Sequence, residues 1–333
     1  MLVNKEICLT EEQLNKLDLH SVINIINVIN TQLQLIQLDY HLADNPTLKS
    51  LISQTNKLGS AVRGSFKQVL THENLQQYLE SFWDGMCDLE DEEPHLARND
   101  KFLQMKQTFR EIFEVMETRI NELQNRWNKP NEWVAFDITE FEKDFHEFFH
   151  AVEKNSKGRY RILYNIAEQE PCDYLVHFNV KGNIDGKIWL PLLFKDVIRD
   201  LIANARKYTD PGGEIIIGLT LQEDKLRFVV EDTGYGIPED EIEDVITFGY
   251  RASNVRKRKR TMGGGYGLTK ALYVANYFKG YLWIDSALNQ GTRITIELPL
   301  PDEIKNRAGM ITQSDKISVK DKEKGDTTHF VPA

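Results

Sequence analysis

Four short segments in a fixed order between Phe194 and Pro299 constrain this chain more than any other feature. They are Asp200-Leu201-Ile202-Ala203-Asn204-Ala205-Arg206-Lys207-Tyr208-Thr209, Asp232-Thr233-Gly234-Tyr235-Gly236, Gly263-Gly264-Gly265-Tyr266-Gly267-Leu268, and Gly291-Thr292. The first reads as an amphipathic helix. Val197, Ile198, Leu201, Ile202 and Ala205 form its apolar face, and Asp200, Asn204 and Lys207 recur three and four apart on another. That puts a carboxylate, an amide and an ammonium in one row. The oxygens suit Mg²⁺ and the ammonium suits phosphate. The second segment follows a strand, Leu226 to Glu231, so that Asp232 can accept a hydrogen bond from an exocyclic amine while the glycines let backbone approach a ring. The third opens a helix near Leu268, whose bare N–H groups and positive end point at an anion. Together the segments describe a nucleotide site.

On those residues the segment resembles the ATP-binding domain shared by gyrase-type topoisomerases, chaperone ATPases, histidine kinases and MutL. Asn-Ala-x-Lys-Tyr-Thr and Gly-x-Gly-x-Gly-Leu are most similar to the sensor histidine kinases. The resemblance implies ATP and Mg²⁺ as cofactors, with Asn204 as metal ligand joined by Asp200, Lys207 on phosphate, Tyr208 on adenine and Asp232 on its amino group. Gly234 and Gly236 border the base, and Gly263, Gly265 and Gly267 lie under the phosphates. Arg251, Tyr266, Leu268 and Thr292 complete the implied contact set. Histidine kinases commonly carry Asn where this chain has Asp200. Hydrolysing and serine-phosphorylating relatives place a carboxylate there as general base.

The 333 residues, 41% hydrophobic, suggest two domains, and the net charge of −10 argues against nucleic acid as a partner. Cys8, Cys87 and Cys172 are scattered and read as reduced thiols of a cytoplasmic protein. No apolar run is long enough to insert into a membrane, and no signal peptide or lipidation signal is visible.

The expected fold class is α+β. An N-terminal antiparallel helical bundle over 1–130 leads to an α/β-sandwich ATP-binding domain of Bergerat type over 131–301, and a disordered tail follows over 302–333. From Glu11 to Tyr40, Leu19, Val22, Ile26, Ile29, Leu33, Ile36 and Tyr40 make a helical seam, and Ile25, Val28 and Leu35 widen it. This pattern suits a bundle or dimer core. His20 lies on the opposite polar row, read as exposed. The stretch Leu19-His20-Ser21-Val22-Ile23-Asn24 resembles the His-x-x-x-Asn phosphoacceptor box of some histidine kinases, with Asn24 orienting the imidazole. Many family members have an acid after the histidine. Ser21 stands there instead, leaving Asp200 as the substitute base.

A second helix carries Leu48 to Val69, and the hairpin is the expected dimerisation and phosphotransfer unit. A third runs from about Glu73 to Met86, followed by the acidic stretch Asp88 to Glu93, read as a solvated loop. Asp100 to Asn128 is a fourth helix, and Lys129-Pro130-Asn131 marks a boundary. Within a helix from Ile138 to Lys154, His146-Glu147-Phe148-Phe149-His150 matches a zinc-protease pattern, but the aromatic stripe around it makes core packing the better account. Ile246 to Arg251 resembles the Phe box of histidine kinases. The residues between it and Gly263 form an expected ATP lid, and six of the ten residues from Arg251 to Arg260 are Arg or Lys.

Three functions fit these features. The first is an ATP-dependent protein-histidine kinase that autophosphorylates His20 and passes the group to an aspartate of a response regulator receiver domain, acting as a homodimer. The second is a serine or threonine kinase, since Gly265 through Thr292 also resembles the pyruvate dehydrogenase kinases. The third is a non-kinase ATP-gated interaction module.

Overall fold

The structure, a computed structural model, describes residues 1–306 except 4, 130, 155, 157, 183–185, 223 and 257–263. The chain divides into two compact units, Leu9–Pro130 and a second that joins Met1–Cys8 to the residues from Asn131 onward. Each has its own apolar core.

The first unit is four helices, α1 (Glu11–Asp39), α2 (Pro46–Val69), α3 (His72–Glu92) and α4 (Asp100–Asn128). Their ends are written in the sequence. Thr10 and Gln13 form a capping box on α1, Asn45 caps α2 with Pro46 at its first position, and Thr71 and Asn99 cap α3 and α4. Helix α1 packs on α2 and α4, and α2 on α3. Helices α3 and α4 meet through rings, with Phe82 centred 5.1 Å from Phe109 and 4.8 Å from Phe113. The ion pair Lys101–Asp39 at 2.8 Å joins the end of α1 to the start of α4, which fixes them antiparallel. The predicted seam residues Leu19, Val22, Ile26, Ile29, Leu33 and Ile36 are all buried within this one chain, whereas Val28 and Leu35 of the second row stay exposed. Replacing Phe82 by Ala removes a fully buried ring from the centre of the cluster. Denaturant unfolding followed by far-UV circular dichroism should show a loss of about 3–5 kcal/mol for this unit.

The acidic stretch expected as a loop is instead the last turns of α3, which runs to Glu92. Two of its charges have partners on other helices or their caps. Glu90 pairs with Lys106 of α4 at 2.8 Å, and Glu92 accepts from the Asn45 amide at 2.9 Å and the Thr47 hydroxyl at 2.6 Å. Those contacts, invisible in a local charge count, carry the helix six residues further.

The second unit is a six-stranded mixed sheet in the order β2-β3-β5-β6-β8-β7, plus a separate antiparallel pair, β1 (Trp133–Asp137) with β4 (Lys187–Pro191). The sheet strands are β2 (Ile162–Leu163), β3 (Tyr174–Lys181), β5 (Glu214–Leu221), β6 (Lys225–Asp232), β7 (Tyr281–Ala287) and β8 (Gly291–Pro299). Helices α5 (Ile138–Lys154), α6 (Leu192–Tyr208) and α8 (Gly267–Tyr277) share the sheet's core, and α7 (Ser253–Arg256) is one turn. Strand alternation decides what faces that core. On β6, Leu226, Phe228, Val230 and Asp232 are buried, and the residues between them are not.

Two placements differ from the sequence reading. Residues Met1–Cys8 belong with the sheet rather than the bundle: Leu2 bridges Trp283 of β7, and the Val3 amide donates to the Leu282 carbonyl at 2.9 Å. Residues 302–306 are helical, with Ile304 buried in the core, so they are not part of a disordered tail. The rest of that segment lies outside the described residues. The fold is α+β, as the patterning predicts.

Candidate functional site

Helix α6 turns Val197, Ile198, Leu201, Ile202 and Ala205 into the core, which leaves Asp200, Asn204 and Lys207 on its other side, partly accessible. The α6 end is tied to the β6 end by backbone: the Tyr208 carbonyl accepts from the Tyr235 amide at 3.1 Å. Lys207 extends its ammonium over the Tyr208 ring, 5.0 Å from the centroid.

Asp232 is the buried acid of the site, 9% exposed. Its Oδ1 accepts from the Gly234 amide at 2.9 Å, and its strand partner in β8 is Thr292. Burial, only partly offset by the backbone amides of Gly234 and Thr292, raises its pKa to about 6. Two consequences of opposite sign follow. Native Asp232 holds its proton to higher pH than an unfolded Asp, so in the absence of ligand the stability it contributes falls as pH rises from about 4 to about 6. An exocyclic amine, by contrast, is best accepted by the ionised carboxylate. Adenine nucleotide affinity should therefore drop by up to about tenfold between pH 7 and pH 5, with the drop absent in Asp232→Asn; calorimetric titration at both pH values checks this.

The turn after Asp232 is set by close approach. Gly236 has φ +66°, and a Cβ there would lie 1.9 Å from the Ala287 carbonyl oxygen. Two residues missed in the sequence hold it. Ser286 accepts from the Ile237 amide at 2.8 Å and donates to the Gly291 carbonyl at 2.9 Å, and its hydroxyl also lies 2.9 Å from that of Thr292. Asn254 of α7 donates to the Gly236 carbonyl at 2.9 Å. A third residue missed in the sequence, Lys270, lies at the α6 row. A polar cavity of about 370 Å³, lined by Asp232, Ser286, Gly291 and Thr292 among others, opens beside these strand ends.

Helix α8 begins at Gly267 with Tyr266 before it and no side-chain cap, so its first N–H groups are left for another acceptor. A Cβ on Gly267 would sit 2.6 Å from the Asn204 amide nitrogen. Only glycine lets the anion-ready helix end come this close to the α6 polar row. In the first turn of α8, the Thr269 hydroxyl is fully buried and has no hydrogen-bond partner among the described residues. The predicted Phe box packs on the glycine segment: the Phe248 ring lies 4.6 Å from that of Tyr266, and the Tyr250 carbonyl borders Gly265. Arg251 is half-buried at its end, and its carbonyl accepts from Arg256 at 2.9 Å. Leu268 packs against the core. Gly263 and the cations Lys257 to Arg260 lie outside the described residues.

Asp200 is not a lone carboxylate. Its Oδ2 lies 2.9 Å from the ammonium of Lys270, which also approaches Asp196 at 3.6 Å. The signal was present as a single Lys within the apolar run Ala271 to Ala275 and its preceding turn, which reads equally as a chance surface charge.

In the helical unit, His20 Nδ1 and the Asn24 side-chain amide are 2.6 Å apart. His20 is half-buried rather than exposed, because a 29-residue helix with four-helix packing leaves its flanks partly covered. In the zinc-type pattern the ring of His146 lies 4.4 Å from that of Tyr164, and among the described residues no three His, Cys, Asp or Glu converge.

Residues 190–302 match the family described as histidine kinase-, DNA gyrase B- and HSP90-like ATPase. The chain is 40% identical to sensor histidine kinase RppB of Synechocystis sp. over 104 residues, 31% of this chain and 23% of that protein. It is 36% identical to sensor histidine kinase WalK of Bacillus subtilis over 110 residues, 32% of this chain and 18% of that protein. The chain thus spans less than a quarter of the length of these relatives. Among solved structures it is similar to the catalytic domain of histidine kinase ThkA, at 20% identity and a TM-score of 0.37, covering 50% of this chain and 97% of that one. The segments from Asp200 to Thr292 all fall inside the matched residues, and this part of the chain is similar to an ATPase domain that sensor histidine kinases share with DNA gyrase B and HSP90.

Proposed function

We propose that the chain is an ATP-dependent protein-histidine kinase that phosphorylates His20 and passes the group to an aspartate of a response regulator receiver domain. The observation that carries this reading is the approach of the uncapped α8 end to Asn204 across Gly267, beside a buried Asp232. An anion cradle and a base-reading acid then lie on one end of the sheet. Bound Mg²⁺·ATP supplies the γ-phosphoryl group and the charge neutralisation for its transfer. The Asn204 amide and the Asp200 carboxylate are the hard donors for the metal, α8 N–H groups and Lys207 take phosphate oxygens, and Asp232 takes the adenine amine.

On the acceptor side, Asn24 fixes the imidazole. An amide NH₂ at His20 Nδ1 leaves the proton on Nε2, whereas a half-turn of the amide presents its oxygen at the same distance and holds Nδ1–H. The second arrangement frees the Nε2 lone pair. The bond that forms is Nε2 to γ-phosphorus, the one that breaks joins that phosphorus to the bridging oxygen of the departing ADP, and the Nδ1 proton passes to solvent. In this reading the exposed α1 residues Val28, Leu35 and Leu38 supply the homodimer contact, and the free thiols of Cys8, Cys87 and Cys172 accord with a cytoplasmic location. No helix among the described residues is long and apolar enough to cross a membrane.

Incubation with γ-labelled ATP and Mg²⁺ should give an acid-labile, base-stable adduct that maps to His20. Acid-stable phosphate on a partner hydroxyl would replace this reading with the serine or threonine kinase. Phosphate release at an undiminished rate from His20→Ala, with no adduct on the parent protein, would replace it with the ATP-gated module.

A further inference from the structure

Asp196, Asp200 and Asn204 follow one another at single-turn intervals along α6, so two carboxylates stand next to the polar row read above as the phosphate and metal side of the site. Unbalanced, they repel a triphosphate. Arg199 of α6 lies 3.9 Å from Asp196, and the charge that reaches both carboxylates comes from the other helix. Lys270, in the first turn of α8, is 7% exposed and delivers its ammonium to Asp200 Oδ2 at 2.9 Å and to Asp196 at 3.6 Å. With its stem in the core it cannot swing into solvent, as a surface lysine would. Its place is also electrostatically costly, because a cation in the first turn of a helix opposes the helix dipole. A buried ammonium kept there needs its carboxylates.

We propose that Lys270 is a positioning residue that gives the nucleotide site a fixed internal cation, so that ATP binding here depends less on divalent metal than Asp200 and Asn204 alone would make it. The proposal rests on the ATP reading of the site. Lys270 cancels the Asp200 charge, draws Oδ2 toward α8, and leaves the other carboxylate oxygen, on a side chain 46% exposed, for the metal when it arrives. Without Lys270, Mg²⁺ has to neutralise both the triphosphate and Asp200.

The test compares ATP dissociation constants of the full chain by calorimetry, in saturating Mg²⁺ and in EDTA. For the parent protein the two values should lie within about tenfold. In Lys270→Met, which keeps the length of the buried stem, binding in EDTA should weaken by about tenfold or more and in Mg²⁺ by only about two- to threefold, as expected when a charge beside the phosphates is lost and then supplied by the metal. Adding Asp200→Asn to Lys270→Met removes both charges and should bring the EDTA value back to within about threefold of the parent. Lys270→Arg should keep the parental ratio.

Equal weakening under both conditions, or none under either, overturns the proposal. Should Lys270→Met fail to fold, Lys270→Gln, which keeps a hydrogen-bond donor for Asp200 without the charge, takes its place with the same outcomes. Absence of adenine nucleotide binding by the parent under both conditions rejects the nucleotide site itself, and this proposal with it.

Discussion

His20→Gln should lose phosphoryl incorporation from ATP by at least about 100-fold while ATP affinity stays within about twofold of the parent. Gln retains a polar group that can meet Asn24, so the helix is little disturbed, but it has no ring nitrogen to bond phosphorus. The residue lies in the helical unit, whereas the residues assigned to nucleotide all lie in the other, which is why binding and labelling should separate. Asn24→Ala should fall between the two, losing about tenfold in initial rate, because the imidazole survives but its tautomer is no longer held. Radiolabel incorporation at saturating ATP, alongside nucleotide titration of each variant, measures both effects. A His20→Gln protein that labels at the parental rate would place the acceptor elsewhere.

Gly267→Val should abolish nucleotide binding without unfolding the domain. A side chain at 267 begins 2.6 Å from the Asn204 amide nitrogen, so it must push α6 and the α8 end apart where the phosphates are to be held. The expected loss in ATP affinity is at least about 100-fold, or about 2.8 kcal/mol. Gly218→Val is the matched control. It lies on β5 with nothing within 4 Å of the new Cβ, and a β-branched residue suits a strand, so binding and stability should both hold. Calorimetric titration with thermal unfolding distinguishes a blocked site from a damaged fold. Equal loss in both variants would count against the cradle.

Much of this was legible in the residues themselves because it depends on local period and backbone chemistry. Period two along β6 assigns Asp232 to the same face as Leu226, Phe228 and Val230, and the apolar stripe of α6 leaves Asp200, Asn204 and Lys207 together on another. The bundle seam from Leu19 to Ile36 could be read for the same reason. What escaped depends on partners far along the chain. Nothing near Glu90 or Glu92 announces Lys106, Asn45 or Thr47, so the end of α3 looked like a loop. Nothing near Ser286 or Asn254 announces the Gly236 turn that they hold. Lys270 belongs to the same class: its meaning comes from Asp200, seventy residues earlier, and only the packing of α6 on α8 brings the two together.

The edge of the sheet at β7 is completed by Leu2 and Val3, which precede the four helices in the chain. The helical unit is therefore nested inside the other as an insertion, entered after Cys8 and left near residue 130, with a covalent strap at each end. A fragment cut to begin at residue 131 would strip a backbone partner from Leu282 and bare the β7 margin. A single nick in the 129–131 junction would leave the two units still linked through residues 8 and 9.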